Sequence, residues 1–428
     1  MSGWIAVPDG DLWLRNATLA SLDRADIRIT GGRIAAIAPA GTAPDGVELD
    51  GGMMLPGFVD AHTHLDKGHI WPRAANPDGS FAGAIVAVRA DHANWAAEDM
   101  RARFAFGLAC SFAHGTVAVR THLDTYFPHA EESWRVFREL RAEWAGRVLL
   151  QAVSIAPLDH FEGANGVRIA DLVAQSGGVL GCVTRFGEAD HGAIPRDFDA
   201  RLDAFFALAG ERGLDVDLHV DETGDTGAAA LPRIARAVLR GKFHGRVQVG
   251  HCCSLARMDD ATVARTIALV AEAGLAVVSL PMCNMYLQDR APGRTPRWRG
   301  ITLLHELAEA GVAVSVASDN CRDPFHAYGD HDMWEVFASA VRIAHLDHPF
   351  GRWTEAVGAT PAAVMGIEAG QITVGAIADL VLFRGRDFSE TLSRSQHDRV
   401  VLRQGRATDT ALPDYRELDA LVRRAPTG

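Results

Sequence analysis

Three observations predict an α/β fold, a (β/α)8 TIM-like barrel carrying a small β-sandwich built from both termini. Between about residues 55 and 320, short β-branched runs alternate with longer stretches whose apolar residues recur every three or four positions. Eight such runs can be counted, apolar along their length as strands covered on both faces are. The two ends of the 428-residue chain read instead as short alternating strands joined by Gly and Asp turns.

Taken in order, DLWLRNATLASLDRADIRITGGRIAAIAP opens the sandwich. The barrel strands follow as MLPGFVDAH, TVAVRTHLD, VLLQAVSIAP, GGVLGCVTRF, LDVDLHVDE, GRVQVGHC, LAVVSLP and VAVSVASDN. Segments such as AEDMRARFAFGLACSFAHG and DDATVARTIALVAEAG supply amphipathic helices between them. GQITVGAIADLVLFRGR and RVVLRQGRATD complete the sandwich, so residues 1–54 with 370–428 form one unit and 55–369 the barrel. A doubly wound open sheet is the alternative, but it would want a glycine-rich dinucleotide turn that the sequence lacks.

The net charge of −12 argues against a nucleic-acid or anionic-membrane partner. No apolar run approaches the length needed to cross a bilayer, and the start does not read as a secretory leader. Six cysteines (110, 182, 252, 253, 283, 321) without CxxC pairs suit a reducing cytoplasm. A homo-oligomer is compatible with the sequence, though no exposed stripe announces an interface.

In LPGFVDAHTHLDKGHI, His62 and His64 are two residues apart, so in a strand both imidazoles face one point. Active-site groups of a parallel barrel stand where strands end. There the sequence places His122 and Asp124, His219 and Glu222, His251, and Asp319 with Asn320. A catalytic divalent site wants three or four protein ligands and an open position. His62, His64, His219 and Asp319 supply three nitrogens and one oxygen for one divalent metal ion, with zinc, iron and manganese all compatible. Glu222 is expected to shuttle a proton, and His251 to polarise the substrate or stabilise developing charge. His122 is either part of that chemistry or a structural hydrogen-bonding group. Cys252 and Cys253 are read as packing. Lys67 and Lys242 are the only lysines, so strand four has none to carboxylate as a bridge between two ions, although Glu188 stands just downstream.

The set PGFVDAHTHLD, RTHLD, HVDE, GHC, PMCNMYLQDR, WRGIT and SDNCRDPFHAYG resembles the amidohydrolase superfamily, and within it the cytosine deaminase branch. The resemblance implies hydrolytic attack on a ring carbon bearing an amino group. By position it makes His62, His64, His219 and Asp319 the ligands, Glu222 the shuttle and His251 the polarising histidine. Where that branch carries a pyrimidine-reading glutamine after strand three, this chain has Leu158 and Asp159; where it carries a second aspartate, this chain has Asn320. The expected substrate is a small pyrimidine-like heterocycle such as cytosine, 5-methylcytosine or isocytosine. Hydrolysis of an N-alkylaminotriazine or a cyclic amide is the alternative. Gln288 is a candidate to pair with a ring carbonyl or amide, Phe325 to cap the ring and Trp71 to line the mouth, while a solvated loop glutamine and packing aromatics are the plainer readings. Asp66 and Lys67 are expected to pair locally.

Overall fold

A computed structural model of the chain describes residues 4–186, 192–394 and 399–423. Each of the eight expected barrel segments contains a strand of a parallel sheet. The first segment is divided at Gly57: β5 (Met54–Pro56) belongs to a different sheet from β6 (Phe58–Thr63). Next come β7 (Thr116–Asp124), β8 (Leu149–Ile155), β9 (Leu180–Val183), β10 (Val216–Val220), β11 (Val247–His251), β12 (Ala276–Ser279) and β13 (Val314–Val316). They pair in parallel as β6-β7-β8 and as β9-β10-β11-β12-β13. Isolated parallel bridges at Val153–Val179 and Pro157–Val183 link the two sheets along β8 and β9, and one at Thr63–Asp319 links β6 to the chain after β13. Every residue of β6, β7, β10 and β11 is buried, as in strands covered on both faces, including the charged and imidazole side chains that they carry among their apolar ones.

Helices Ala97–Ala113 and Asp260–Glu272 form where the periodicity places them. The second is capped by Asp259, whose side chain accepts from the Thr262 N–H. The first turns Met100, Phe104 and Leu108 into the main core. It also buries Arg103, paired with Asp99 and donating to the carbonyls of Asp66 and Gly68, which fixes the loop after β6.

The N-terminal strands β1 (Leu12–Thr18), β2 (Arg24–Thr30), β3 (Arg33–Pro39) and β4 (Val47–Glu48) make one four-stranded sheet, in the order β3-β2-β1-β4. The C-terminal β14 (Leu380–Leu382), β15 (Val400–Arg403) and β16 (Arg406–Ala407) join β5 in a second. Leu14, Ile27 and Ile34 from the first sheet share an apolar cluster with Met54, Leu380 and Leu402 from the second. Residue 188 lies outside the described residues, and with it any role for Glu188.

Candidate active site

The C-terminal ends of β6, β10 and β11 and the turn after β13 bring His62, His64, His219, His251 and Asp319 together. The ligand atoms of His62, His64 and His219 lie within 4.8 Å of one another, as do those of His62, His251 and Asp319. His64 Nε2 faces His219 Nε2 at 3.4 Å, and Asp319 Oδ1 is 3.2 Å from His64 Nε2 and 3.6 Å from His62 Nε2. Two neighbours make this convergence possible. Gly250 stands beside His219 in the pairing of β10 with β11, and a Cβ there would come 3.2 Å from His62 Cε1. Buried Asp60 accepts from the Ser318 N–H at 3.2 Å, tying the turn that carries Asp319 to β6.

Burial, reinforced by neighbouring cationic and imidazole groups, holds His62, His64 and His219 well below the ordinary histidine pKa. They are therefore neutral, with lone pairs free to donate. Burial pushes Asp319 up to about 7, with His251 opposing and Glu222 adding to the rise. Both nitrogens of His62 and both carboxylate oxygens of Asp319 are buried without a hydrogen-bond partner. Buried polar atoms are nearly always paired. Orphaned atoms of these types, facing one point, fit a divalent cation held by three imidazoles and one carboxylate.

Glu222 lies just beyond β10, with a side chain 12% exposed. Burial pushes its carboxyl up to about 8 against the pull of Arg185 and Lys67. Its Oε1 is 3.5 Å from His251 Nδ1, which also faces Asn284 Oδ1 at 2.9 Å. His122 packs against His62 with ring centroids 3.9 Å apart, and its Nε2 is 3.4 Å from Asp217 Oδ1. Asp217 in turn receives Arg120 at 3.1 Å and Gln248 at 2.8 Å, so His122 belongs to a polar layer beneath the cluster. Cys252 and Cys253 are buried, which raises both thiols well above their ordinary pKa.

A cavity of about 510 Å³ opens over these groups, its wall including His64, His219, Glu222 and Asp319. Of the expected substrate residues, Asp159, Asn320 and Phe325 stand on that wall. Three do not. Leu158 is 1% exposed and packs in the main core, because the short helical turn Leu158–Phe161 turns it inward. Gln288 donates to the Glu222 carbonyl at 3.3 Å, while the Trp71 N–H is bound to the Arg322 carbonyl at 2.8 Å. The expected pairing of Asp66 with Lys67 is also replaced. Lys67 Nζ is 2.7 Å from Asp124 Oδ1, and Asp66 instead accepts the Asp124 N–H at 2.7 Å. A lysine beside an aspartate in sequence reads as a local pair, but the contact was made 57 residues away, across β7.

The sequence reading missed Asn284, Arg185 and Phe81. Asn284 follows the seventh strand in PMCNMYLQDR, where position at a strand end was the available signal. Arg185 stands two residues past β9 and lies over the Phe81 ring at 3.9 Å, both on the cavity wall. Phe81 comes from the long connection after β6, which periodicity alone could not place.

Neutral histidines and a lone carboxylate gathered at the ends of parallel strands are the equipment of hydrolases that cleave carbon–nitrogen bonds. The chain belongs to the amidohydrolase family, whose model matches residues 45–157 and 113–408. It is 54% identical over 407 residues to a pterin deaminase of Rhizobium rhizogenes, covering 94% of this chain and 91% of the relative. It is also 27% identical to the N-isopropylammelide isopropyl amidohydrolase of a Pseudomonas species, covering 87% of this chain and 91% of that one. Its fold matches that of a 5-methylcytosine deaminase from Klebsiella pneumoniae liganded with 5-fluorocytosine. The TM-score is 0.81 at 23% identity, over 92% of this chain and 97% of that one. The protein is a hydrolase acting on carbon–nitrogen bonds other than peptide bonds.

Proposed function

We propose that this chain deaminates a 2-amino-4-oxopteridine ring, water replacing the 2-amino group to give the 2,4-dioxo ring and ammonia. The observation that carries the reading is the 54% identity with a pterin deaminase over 94% of the chain. The expected isocytosine substrate is the pyrimidine half of this ring, so the reading enlarges the heterocycle and keeps its reacting edge.

His62, His64, His219 and Asp319 would hold one divalent ion. Such an ion supplies Lewis acidity and a water acidic enough to attack near neutral pH. Glu222, its carboxyl pushed up to about 8, would take a proton from the attacking water and hand one to the departing amine near neutral pH. His251 keeps Nδ1–H toward Asn284 and Glu222, which leaves Nε2 as a hydrogen-bond acceptor at the reacting edge, where it would orient the attacking water or a ring N–H. The wall offers aromatic faces at Phe81 and Phe325 for a planar ring, and polar ends at Asp159, Arg185 and Asn320.

The architecture that supports this is eight parallel strands closed as a barrel, residues 55–369, beside a sandwich from 1–54 and 370–428. The bridges between β8 and β9 and between β6 and the turn after β13 support closure. The apolar cluster shared by both termini supports the sandwich. Free cysteines at all six positions support a reducing compartment such as the cytoplasm.

The likeness to the isopropylammelide enzyme favours a second reading, loss of an alkylamine from an aminotriazine. Product analysis on metal-loaded protein separates the two. Stoichiometric ammonia from pterin, with little turnover of cytosine, is expected. Isopropylamine from N-isopropylammelide with no ammonia from pterin would overturn the pteridine reading.

A further inference from the structure

A second cluster of metal-binding side chains lies apart from the active-site set and shares no residue with it. His69, Cys321 and His331 offer two ring nitrogens and a sulfur, all within 4.8 Å of one another. Their exposures are 2%, 1% and 2%. Both nitrogens of His69 and Nε2 of His331 are buried without a hydrogen-bond partner. Buried imidazole nitrogens are rarely left so.

The surroundings explain which atoms are free to donate. Thr63 Oγ1 spends its hydrogen on the Asp319 carbonyl at 2.8 Å, so toward His331 Nδ1, 3.5 Å away, it can only accept. That places the proton of a neutral His331 on Nδ1 and leaves the Nε2 lone pair facing the cluster, as a ligating histidine requires. Helix Ala97–Ala113 leaves room for this ring with Gly107, where a Cβ would lie 3.0 Å from His331 Nε2 and 2.6 Å from Leu65 Cδ2. His69 is held in a left-handed backbone conformation, φ +64°, and its N–H donates to the Cys321 carbonyl at 3.0 Å. The two loops that meet here are those following β6 and β13.

We propose that His69, Cys321 and His331 form a second, structural cation site, selective for a thiophilic divalent ion such as zinc. One thiolate and two imidazoles suit zinc and exclude magnesium and calcium, which prefer oxygen. The Cys321 thiol gives up its proton to solvent as the ion binds. The ion staples the loop after β6 to the loop after β13, five residues beyond His64 and two beyond Asp319. It thereby fixes the spacing of the two strand ends that carry active-site groups. This is a separate mononuclear site, unlike the lysine-bridged pair for which strand four lacks the residue.

The test exploits sulfur. None of His62, His64, His219 or Asp319 can give a thiolate-to-metal charge-transfer band, whereas Cys321 can. Full-length protein reconstituted with cobalt(II) should bind two equivalents and show near-ultraviolet thiolate-to-cobalt absorption. Cys321→Ser should lose the band and one equivalent. Cys283→Ser, which changes the thiol lying 3.7 Å from Asn320 Oδ1, should keep both. X-ray absorption of the zinc-loaded wild-type protein should show a sulfur neighbour, which needs no variant to fold. One equivalent with no sulfur neighbour in the wild-type protein, or a band that survives Cys321→Ser, overturns the proposal.

Discussion

Asn284 Oδ1 stands 2.9 Å from His251 Nδ1, carried to it by the buried face of the helix Pro281–Leu287. A carbonyl oxygen only accepts, so this contact settles the proton of a neutral His251 on Nδ1 and turns the Nε2 lone pair toward the reacting centre. Glu222 Oε1, 3.5 Å from the same nitrogen, favours the same tautomer. Burial holds His251 below its ordinary pKa, so the neutral ring dominates.

Asn284→Ala should lower kcat by about tenfold to a hundredfold, as losing the partner that orients a working histidine does. Asn284→Asp places a carboxylate against Nδ1 and favours the imidazolium, raising the His251 pKa. Because the neutral ring is the working form, the acid limb of the kcat/KM profile should move to higher pH. An unchanged profile in Asn284→Asp, in folded metal-loaded protein, counts against a positioning role.

Glu222→Gln should reduce kcat by roughly 10²- to 10⁴-fold, the usual worth of a positioned proton carrier. In metal-free protein the same substitution should stabilise the fold at alkaline pH. A free glutamate titrates near 4.5, and burial pushes Glu222 to about 8. Between those values the folded state keeps a proton that the unfolded state has lost, so stability falls as pH rises from 4.5 to 8. Glutamine removes that loss. The gain, at most roughly 4 kcal/mol at pH 8, should vanish below pH 4.5. Chemical denaturation of chelated protein across that range measures it.

Chelation should destabilise the wild-type protein more than His64→Ala or His219→Ala, which keep only the ion held by His69, Cys321 and His331. The His64 and His219 Nε2 atoms, 3.4 Å apart, are two lone pairs aimed at one point, and truncating either removes a ligand. An ion at a hundred times its Kd adds about 2.7 kcal/mol. The three imidazoles are already neutral at physiological pH, so Asp319, pushed up to about 7, governs loading. Apparent affinity should rise about tenfold per pH unit below 7 and flatten above it. Competition against a chromophoric chelator reads both slopes. Two equivalents retained at wild-type affinity by both variants would remove these histidines from the site.

Much of this was legible because strand ends carry it. His62 and His64 declare themselves through a two-residue spacing, and the other groups follow buried runs whose length periodicity supplies. What the sequence could not supply is pairing over distance. Lys67 beside Asp66 looks like a local pair, yet the strand it follows delivers it to Asp124. Leu158 and Asp159 are neighbours, and one tight helical turn sends the first into the core and the second to the cavity. Gly57 likewise divides what reads as a single strand, because β5 is hydrogen-bonded to β14 and β6 to β7. Such outcomes depend on residues tens to hundreds of positions away, and no window of sequence contains them.

The Lys67–Asp124 pair offers the sharpest separation of stability from catalysis. Lys67 is 5% exposed and Asp124 is 9% exposed. Burial opposes both charges, yet each holds the other ionised: Asp124 is lowered to about 2, and Lys67 is raised above its ordinary value by Asp124 and Asp66. The aspartate's contribution is therefore present above its unfolded pKa of 3.8 and is lost as pH falls toward 2. The lysine's is present below 10.5 and is lost only as pH rises through its still higher folded value. Lys67→Met leaves Asp124 buried without its cation and should cost about 3–5 kcal/mol at pH 7. Adding Asp124→Asn removes the stranded charge, so the double variant should recover most of that loss. Lys67 also stands 5.6 Å from the Phe325 ring centroid on the cavity wall, so KM should rise in both variants even where stability returns. A double-mutant cycle on denaturation free energy, with kcat and KM measured alongside, tests each part. Additive losses in the cycle would mean that the pair contributes no coupling, and a KM restored together with stability would mean that Lys67 supports the fold without touching the substrate.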